Sequence, residues 1–314
     1  MKKINTVTLI GLGAVGAAYG TKLQEGLQDS FRVVANPERI QRYENNPLQV
    51  NGKEYRFNYI IPETKTEPAD LVIFAVKNAE LAEAMKDLTY HIGPDTIILS
   101  LLNGISSEEE IFNKYGNHHI LHSMTVGIDA VRENNQITFA SLGKIYFGEK
   151  DQSLSNDALA VKELFERVGI DYEIPENMWR TLWWKFMMNV GVNQVSAILR
   201  APYGTFHKVP SALELVESAM YEVVALSEKT GVFLNEDDIK KVRSTIYALA
   251  PGGKTSMLQD VEAGRKTEVE YFGGTVCTLG KQHQVPTPFN EYLCRMIQAI
   301  EETARLESEL VNYK

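Results

Sequence analysis

Residues 8–20 read TLIGLGAVGAAYG, an apolar run that dissolves into glycines and alanines behind the lysine pair Lys2 and Lys3. Three readings compete: a secretory leader, a membrane-buried hairpin, or the phosphate-binding turn of a nucleotide fold. The basic start and the small residues Ala14 to Ala18 suit a leader, but Gly11, Gly13 and Gly16 interrupt it, and glycines are poor helix formers for an apolar leader core. The chain downstream decides the matter. Asn5 to Ile10 is rich in β-branched and apolar residues and predicts a buried strand, and Ala14 to Leu27 suits a helix. Phe31 to Ala35, Leu71 to Val76 and Ile97 to Leu102 predict further strands, with helical segments at Ala79 to Leu88 and Glu108 to Tyr115. Apolar runs alternating with helices indicate a parallel sheet covered on both faces. The opening stretch is therefore expected to be its first strand and turn, not a removable leader.

Composition sets the outer limits. The chain has 314 residues, 44% hydrophobic and 23% charged, enough for two domains with separate cores. A net charge of -9 and a pI near 5.3 exclude a sequence-wide positive field, so neither nucleic acid nor membrane is an expected partner. No window approaches the ~18 consecutive apolar residues of a membrane-spanning helix. Two cysteines, Cys277 and Cys294, make no disulfide framework, and a reducing cytosol is the expected location.

Strand-like alternation at Ile137 to Leu142 and Lys144 to Phe147 predicts strands that complete or extend the first sheet. The pattern changes near Pro175. Helical segments succeed it at Asn177 to Leu199, Ser211 to Thr230, Glu236 to Ala250, Met257 to His283 and Phe289 to Ser308, punctuated by glycine and proline. The expected architecture is an α/β dinucleotide-binding domain over residues 1–175 and an all-helical domain over 176–314.

Gly11-Leu12-Gly13-Ala14-Val15-Gly16 has the G-x-G-x-x-G spacing between a strand and a helix. The first glycine permits the tight turn, the second admits a pyrophosphate to the backbone, and the third allows close helix packing. The phosphates would meet the free N–H groups and positive end of the helix. At the end of the second strand, an acid would grip the ribose 2′-hydroxyl of NAD and an arginine the 2′-phosphate of NADP. Here the signal is mixed: Asn36 is neutral, Arg39 and Arg42 could bracket a phosphate, Glu38 could serve as the NAD-type carboxylate, and all three charges could simply be solvated.

Lys185, Asn189 and Asn193 recur at i, i+4 and i+8 and so share a helix face. An apolar stripe of Trp179, Leu182, Trp183, Phe186 and Val190 runs beside them, so this face reads as the wall of a polar site. Ser256 to Gln259 fits a capping box. Glu268, read as lying on the same helix, shares a face with Val261, Gly264, Phe272 and Thr275, and is expected to face a cleft or another subunit. Two motifs are set aside. Gly253-Lys254-Thr255 lacks both the first glycine and the preceding strand of a P-loop, and His118, His119 and His122 have no second ligand cluster to make a metal site.

With these residues assembled, the chain resembles the ketopantoate reductases over essentially its whole length. The matching segments are GLGAVG, AVKNAE at 75–80, Asn103-Gly104, WRTLWWKFMMNVGVN at 179–193 and SMLQDVEAGRKTEVEYFGG at 256–274. The resemblance implies NADPH-dependent reduction of 2-dehydropantoate to pantoate, a step of pantothenate and coenzyme A biosynthesis. It also implies a Rossmann-type domain followed by a helical domain like that of 6-phosphogluconate dehydrogenase relatives. Lys185 matches the family's general acid and Glu268 the glutamate that holds the substrate hydroxyl; Asn103, Asn189, Asn193 and Ser256 match its substrate pocket. The implied NADP(H) contacts are Gly11, Gly13, Ala14, Val15, Gly16, Asn36, Arg39, Lys77 and Asn103. A 2-keto acid is the expected small-molecule partner, and a second copy of the chain is the macromolecular one to look for. Two positions depart from the family: Asn36 stands where an arginine is common, and Glu80 where a glutamine is. Both touch the cofactor end.

Overall fold

A computed structural model describes residues 3–116 and 119–312. The chain divides into two compact units, Met1–Trp179 and Arg180–Lys314.

In chain order the first unit contains β1 (Val7–Ile10), α1 (Ala14–Leu27), β2 (Phe31–Val34), α2 (Pro37–Asn45), β3 (Leu48–Val50), β4 (Lys53–Tyr55), β5 (Tyr59–Ile60), β6 (Leu71–Phe74), α3 (Leu81–Asp87), β7 (Ile97–Ser100), α4 (Ser107–Tyr115), β8 (His119–Val126), β9 (Val131–Glu133), β10 (Gln136–Thr138), β11 (Lys144–Gly148), α5 (Asn156–Val168) and β12 (Tyr172–Glu173). Eight strands form the main sheet in the order β12-β11-β8-β7-β6-β1-β2-β5. The central strands are parallel, Val7 pairing with Phe31 on one side and Leu71 on the other. β1, β6 and β7 are buried along their whole length, which is what coverage of both faces requires. Alternation divides their side chains between two cores. Val7, Leu9, Leu71 and Ile73 pack with residues of α1 and α5, whereas Ile10, Val72 and Phe74 pack with residues of α3 and α4. The fold class matches the sequence reading.

The run at 137–142 departs from expectation. Only Lys144–Gly148 joins the main sheet, antiparallel to β8. β10 instead belongs to a separate four-stranded sheet, β4-β3-β10-β9. Gly143 ends the run with φ at +65°, where an added Cβ would lie 2.3 Å from the Val126 carbonyl oxygen. Asn51 then fastens the small sheet, donating through its side-chain amide to Phe139 O at 3.0 Å and accepting from Phe139 N at 2.9 Å.

The second unit is helical: α6 (Met178–Leu199, beginning at the junction), α7 (Tyr203–Lys208), α8 (Pro210–Lys229), α9 (Glu236–Ala248), α10 (Ser256–Glu262), α11 (Gly273–His283) and α12 (Pro288–Asn312). A buried polar junction ties α6, α8 and α12 together. Gln194 donates to Asn290 Oδ1 at 3.0 Å, and the Asn290 amide donates to Ala219 O and to Glu222. The single helix expected over Met257 to His283 is broken. α10 stops at Glu262, Gly264 turns with φ at +63°, the Arg265 amide closes onto Asp260 O, and the Arg265 side chain pairs with Asp260. A short 3-10 turn, Val269–Tyr271, precedes α11.

Candidate active site

The glycine turn lies where the strand order reverses, since β1 has β2 on one side and β6 on the other. Such switch points are where open parallel sheets bind ligands beyond the carboxyl ends of their strands. Gly11 has φ at +97° and passes so near β6 that a Cβ would fall 2.5 Å from Ala75 O; a Cβ on Gly16 would fall 2.0 Å from Gly11 O. Gly13 differs, because no protein atom lies within 4 Å of its added Cβ. It caps α1 without any side-chain hydrogen bond, and no acid occupies the first helical turn. The turn thus exposes free backbone donors at the positive end of a helix, the cradle a pyrophosphate fits.

Beside this turn a cavity of about 230 Å³ runs between the tip of β2 and α3, lined by Gly11, Asn36, Arg39, Tyr43, Glu80 and Glu83 among others. Asn36 is the N-cap of α2: its Oδ1 accepts from Arg39 N at 2.9 Å, and Pro37 stands at the first helical position. Arg39 pairs with Glu80 at 3.2 Å, both side chains being about half exposed. Lys77 precedes the 3-10 turn Asn78–Glu80. Buried Asn78 donates to the backbone oxygen of Asn103 at 2.9 Å and so joins the loops after β6 and β7. Gly104, with φ at +99°, completes the second loop.

In the second unit, Lys185, Asn189 and Asn193 are all buried, at 8%, 8% and 7% exposure. Burial, the largest influence, pushes the Lys185 ammonium down from 10.5 to about 8, while the charge of Glu268 pulls the other way. Asn193 donates to Asn189 Oδ1 at 3.3 Å, and its own Oδ1 accepts from Ser256 Oγ at 3.2 Å. The predicted capping box at Ser256 is displaced by one residue. Thr255 is the cap, accepting from Leu258 N at 3.1 Å and donating to Ser196 Oγ at 3.1 Å, while the Gln259 side chain turns back to Lys254 O. Ser256 is thereby free of capping duty and turned to Asn193. Glu268 lies not on a helix face but just before the 3-10 turn. It is flanked by buried Thr267 and Val269, and the Thr267 amide is held by Glu301 Oε1 at 2.7 Å.

Of the motifs set aside, Lys254 is paired with Glu262 at 2.8 Å. His119 bonds Asp157, His122 packs edge-on against Trp179, and His118 lies outside the described residues. Tyr43, Glu83 and Asp87 also line the β2 cavity, and no sequence pattern singles them out; on helices they look like ordinary surface or core positions.

A parallel sheet with an uncapped glycine turn at its switch point, in a chain whose helical unit carries a buried lysine in the field of a glutamate, is the arrangement expected of dinucleotide-binding oxidoreductases. The chain belongs to the ketopantoate reductase family: the model described as "Ketopantoate reductase PanE/ApbA" matches residues 7–152 and its "C terminal" companion residues 177–301. The 2-dehydropantoate 2-reductase of Streptococcus pyogenes serotype M1 is 27% identical over 295 residues, covering 93% of this chain and 95% of that protein. Among solved structures, a D-mandelate dehydrogenase with NADH and anilino(oxo)acetate superposes with a TM-score of 0.83 at 23% identity, covering 96% of this chain and 99% of that one. A dimeric ketopantoate reductase from Staphylococcus aureus superposes with a TM-score of 0.77 at 20% identity, covering 95% and 99%.

Proposed function

We propose that the chain reduces 2-dehydropantoate to pantoate, with residues 1–175 as the dinucleotide-binding domain and 176–314 as the substrate domain. The observation that carries the reading is Lys185, a buried ammonium brought down to about 8 in the field of Glu268, on the same helix face as the hydrogen-bonded amides Asn189 and Asn193. A general acid works best when its pKa is near the operating pH. A bound nicotinamide dinucleotide would supply a hydride for the carbonyl carbon of the keto acid. As the C=O π bond opens, negative charge collects on oxygen. Lys185 stabilises that charge and gives its proton to the oxygen, leaving a neutral amine that solvent reprotonates. Glu268 accepts from the substrate hydroxyl, Asn189, Asn193 and Ser256 of the same unit hold the keto-carboxylate, and the family resemblance adds Asn103 of the first unit as a substrate contact.

Gly11, Gly13, Ala14, Val15 and Gly16 would hold the pyrophosphate on the backbone, and Lys77 and Asn103 would also contact the dinucleotide. For the reductant, the family resemblance implies NADP(H), with Asn36 and Arg39 at the ribose. NAD(H) competes for the same cavity, and the charge of its lining decides between them. This reading puts the protein in the cytosol, in pantothenate and coenzyme A biosynthesis, and makes a second copy of the chain its natural partner, as in the dimeric Staphylococcus aureus relative.

Purified protein given 2-dehydropantoate and a reduced nicotinamide dinucleotide should oxidise the dinucleotide. Lys185→Ala should lower kcat by about 10² to 10⁴, and Glu268→Gln should raise KM more for 2-dehydropantoate than for a 2-keto acid without the hydroxyl. Equal activity of wild type and Lys185→Ala would overturn the acid assignment. A preference for keto acids without the hydroxyl would overturn the substrate while leaving the reduction in place.

A further inference from the structure

Resting on the dinucleotide reading and deepening it, we propose that Glu80 supplies the ribose-hydroxyl acceptor that the tip of β2 lacks, and that with Arg39 held in its ion pair the cavity selects NADH over NADPH. A carboxylate near the adenosine ribose accepts from the 2′-hydroxyl and repels a 2′-phosphate. The usual place for that acid is the end of the second strand. Here Asn36 occupies it, is uncharged, and has its Oδ1 engaged in capping α2 through Arg39 N. Glu38, on the first turn of α2, does not line the cavity. The carboxylate arrives from the opposite wall, on the turn after β6, where Glu80 faces Arg39 at 3.2 Å.

Among the described residues lining the cavity, Arg39 is the one cation, set against Glu80, Glu83 and Asp87. These acids share one field: burial first, then the charge of Glu83, raises the Asp87 carboxyl. Two further arginines border the cavity through residues that line it, Tyr43 and Leu12, without lining it themselves. The Arg42 guanidinium lies 5.5 Å from the centroid of the Tyr43 ring and that of Arg132 lies 5.8 Å from it, and Arg132 donates to the carbonyl oxygens of Asn134 and Leu12.

A 2′-phosphate carries a charge approaching -2 near neutral pH, as phosphate monoesters do. To bind Arg39 it must displace Glu80 and then sit in a lining that also carries Asp87 and Glu83, the latter paired with Lys86 at 3.1 Å. The exposed Arg39–Glu80 pair is itself weak, so selection comes from the summed charge of the lining, not from the strength of that pair. A 2′-hydroxyl meets no such opposition and finds an acceptor in Glu80.

The test is equilibrium binding of NADH and NADPH without keto acid, followed by nicotinamide fluorescence, for the wild type, Glu80→Gln and Glu83→Gln. The wild type should bind NADH at least about tenfold more tightly. Glu80→Gln should move the ratio about tenfold toward NADPH, and Glu83→Gln should move it the same way by less. Added salt should narrow the wild-type ratio, because the opposing charges are solvent-accessible. Equal or tighter NADPH binding by the wild type, or an unmoved ratio in Glu80→Gln, overturns the inference and leaves the dinucleotide site standing. Failure of the wild type to bind either dinucleotide overturns both.

Discussion

Replacing Lys185 with methionine should end the chemistry and stabilise the fold. Lys185 is 8% exposed, and its ammonium is brought down from 10.5 to about 8 by burial, against the pull of Glu268. At about 1.4 kcal/mol for each tenfold change in proton affinity, this sets about 3 kcal/mol against the charged form in the folded state. Below pH 8 the folded and unfolded chains both hold the proton, and the folded chain bears the whole penalty. Between 8 and 10.5 the unfolded chain binds more protons than the folded one, so this group makes stability rise with pH until the penalty is gone. Methionine has similar length and no charge to desolvate. That penalty is already net of the attraction to Glu268; imperfect repacking returns part of the gain, leaving about 1 to 2 kcal/mol near neutral pH, or a few degrees in melting temperature. Urea melts of both proteins, followed by circular dichroism from pH 6 to 10.5, should show the variant ahead near pH 7 and the gap closing above pH 8. A gap that stays constant across this range, or a wild type that is the more stable at pH 7, would refute the claim that the lysine is held charged against its surroundings. The same acid should appear in catalysis, with kcat declining as pH rises through about 8.

The glycine turn offers a separation of fold from binding. Gly16→Ala should destabilise by about 1 to 3 kcal/mol in thermal melts, because its Cβ would overlap Gly11 O and the turn must shift. Gly13→Ala should melt close to wild type and lose dinucleotide affinity instead, since its Cβ meets only the space where a pyrophosphate would lie; unimpaired affinity would refute that placement. In the same unit, burial of Glu108 outweighs its bonds from Ser107 and Ser123 and lifts its carboxyl from 4.5 to about 7. A raised carboxyl adds stability below pH 4.5 that is lost as pH climbs through 7, up to about 3 kcal/mol. Glu108→Gln, which keeps an acceptor for Ser123 N, should therefore flatten the fall in stability between pH 5 and 8, as urea melts would record.

How much of the molecule can be read from its residues depends on whether the cause is local. The first strand and its turn are legible because the constraints act within a few residues: an apolar run, then glycines at positions where a Cβ would strike Ala75 O or Gly11 O. α5 is equally legible, with a Ser155 cap and left-handed Gly169 at its end, though a strand-led reading of the residues before Pro175 omits it. The three-residue strands β3, β4, β9 and β10 are too short to show alternation. Met257 to His283 keeps a helical period, yet breaks where Gly264 turns and Arg265 closes onto Asp260. The cap at α10 is a finer case. Thr255 and Ser256 both satisfy the cap pattern, and a one-residue choice between them decides whether Ser256 serves the backbone or Asn193. Thr255 is the one whose hydroxyl also reaches Ser196 on α6, a partner 59 residues away that no local pattern contains. The same holds at the cofactor end. Arg39 and Glu80 are 41 residues apart and each reads alone as a solvated charge; only the β1-centred sheet order, which sets the β2 tip across from the turn after β6, makes them one pair. The lysine proposed as general acid and the glycine turn are inscribed as motifs, whereas the cofactor choice proposed here would rest on charges that the sheet brings together, and it is there that a family likeness says least about this chain.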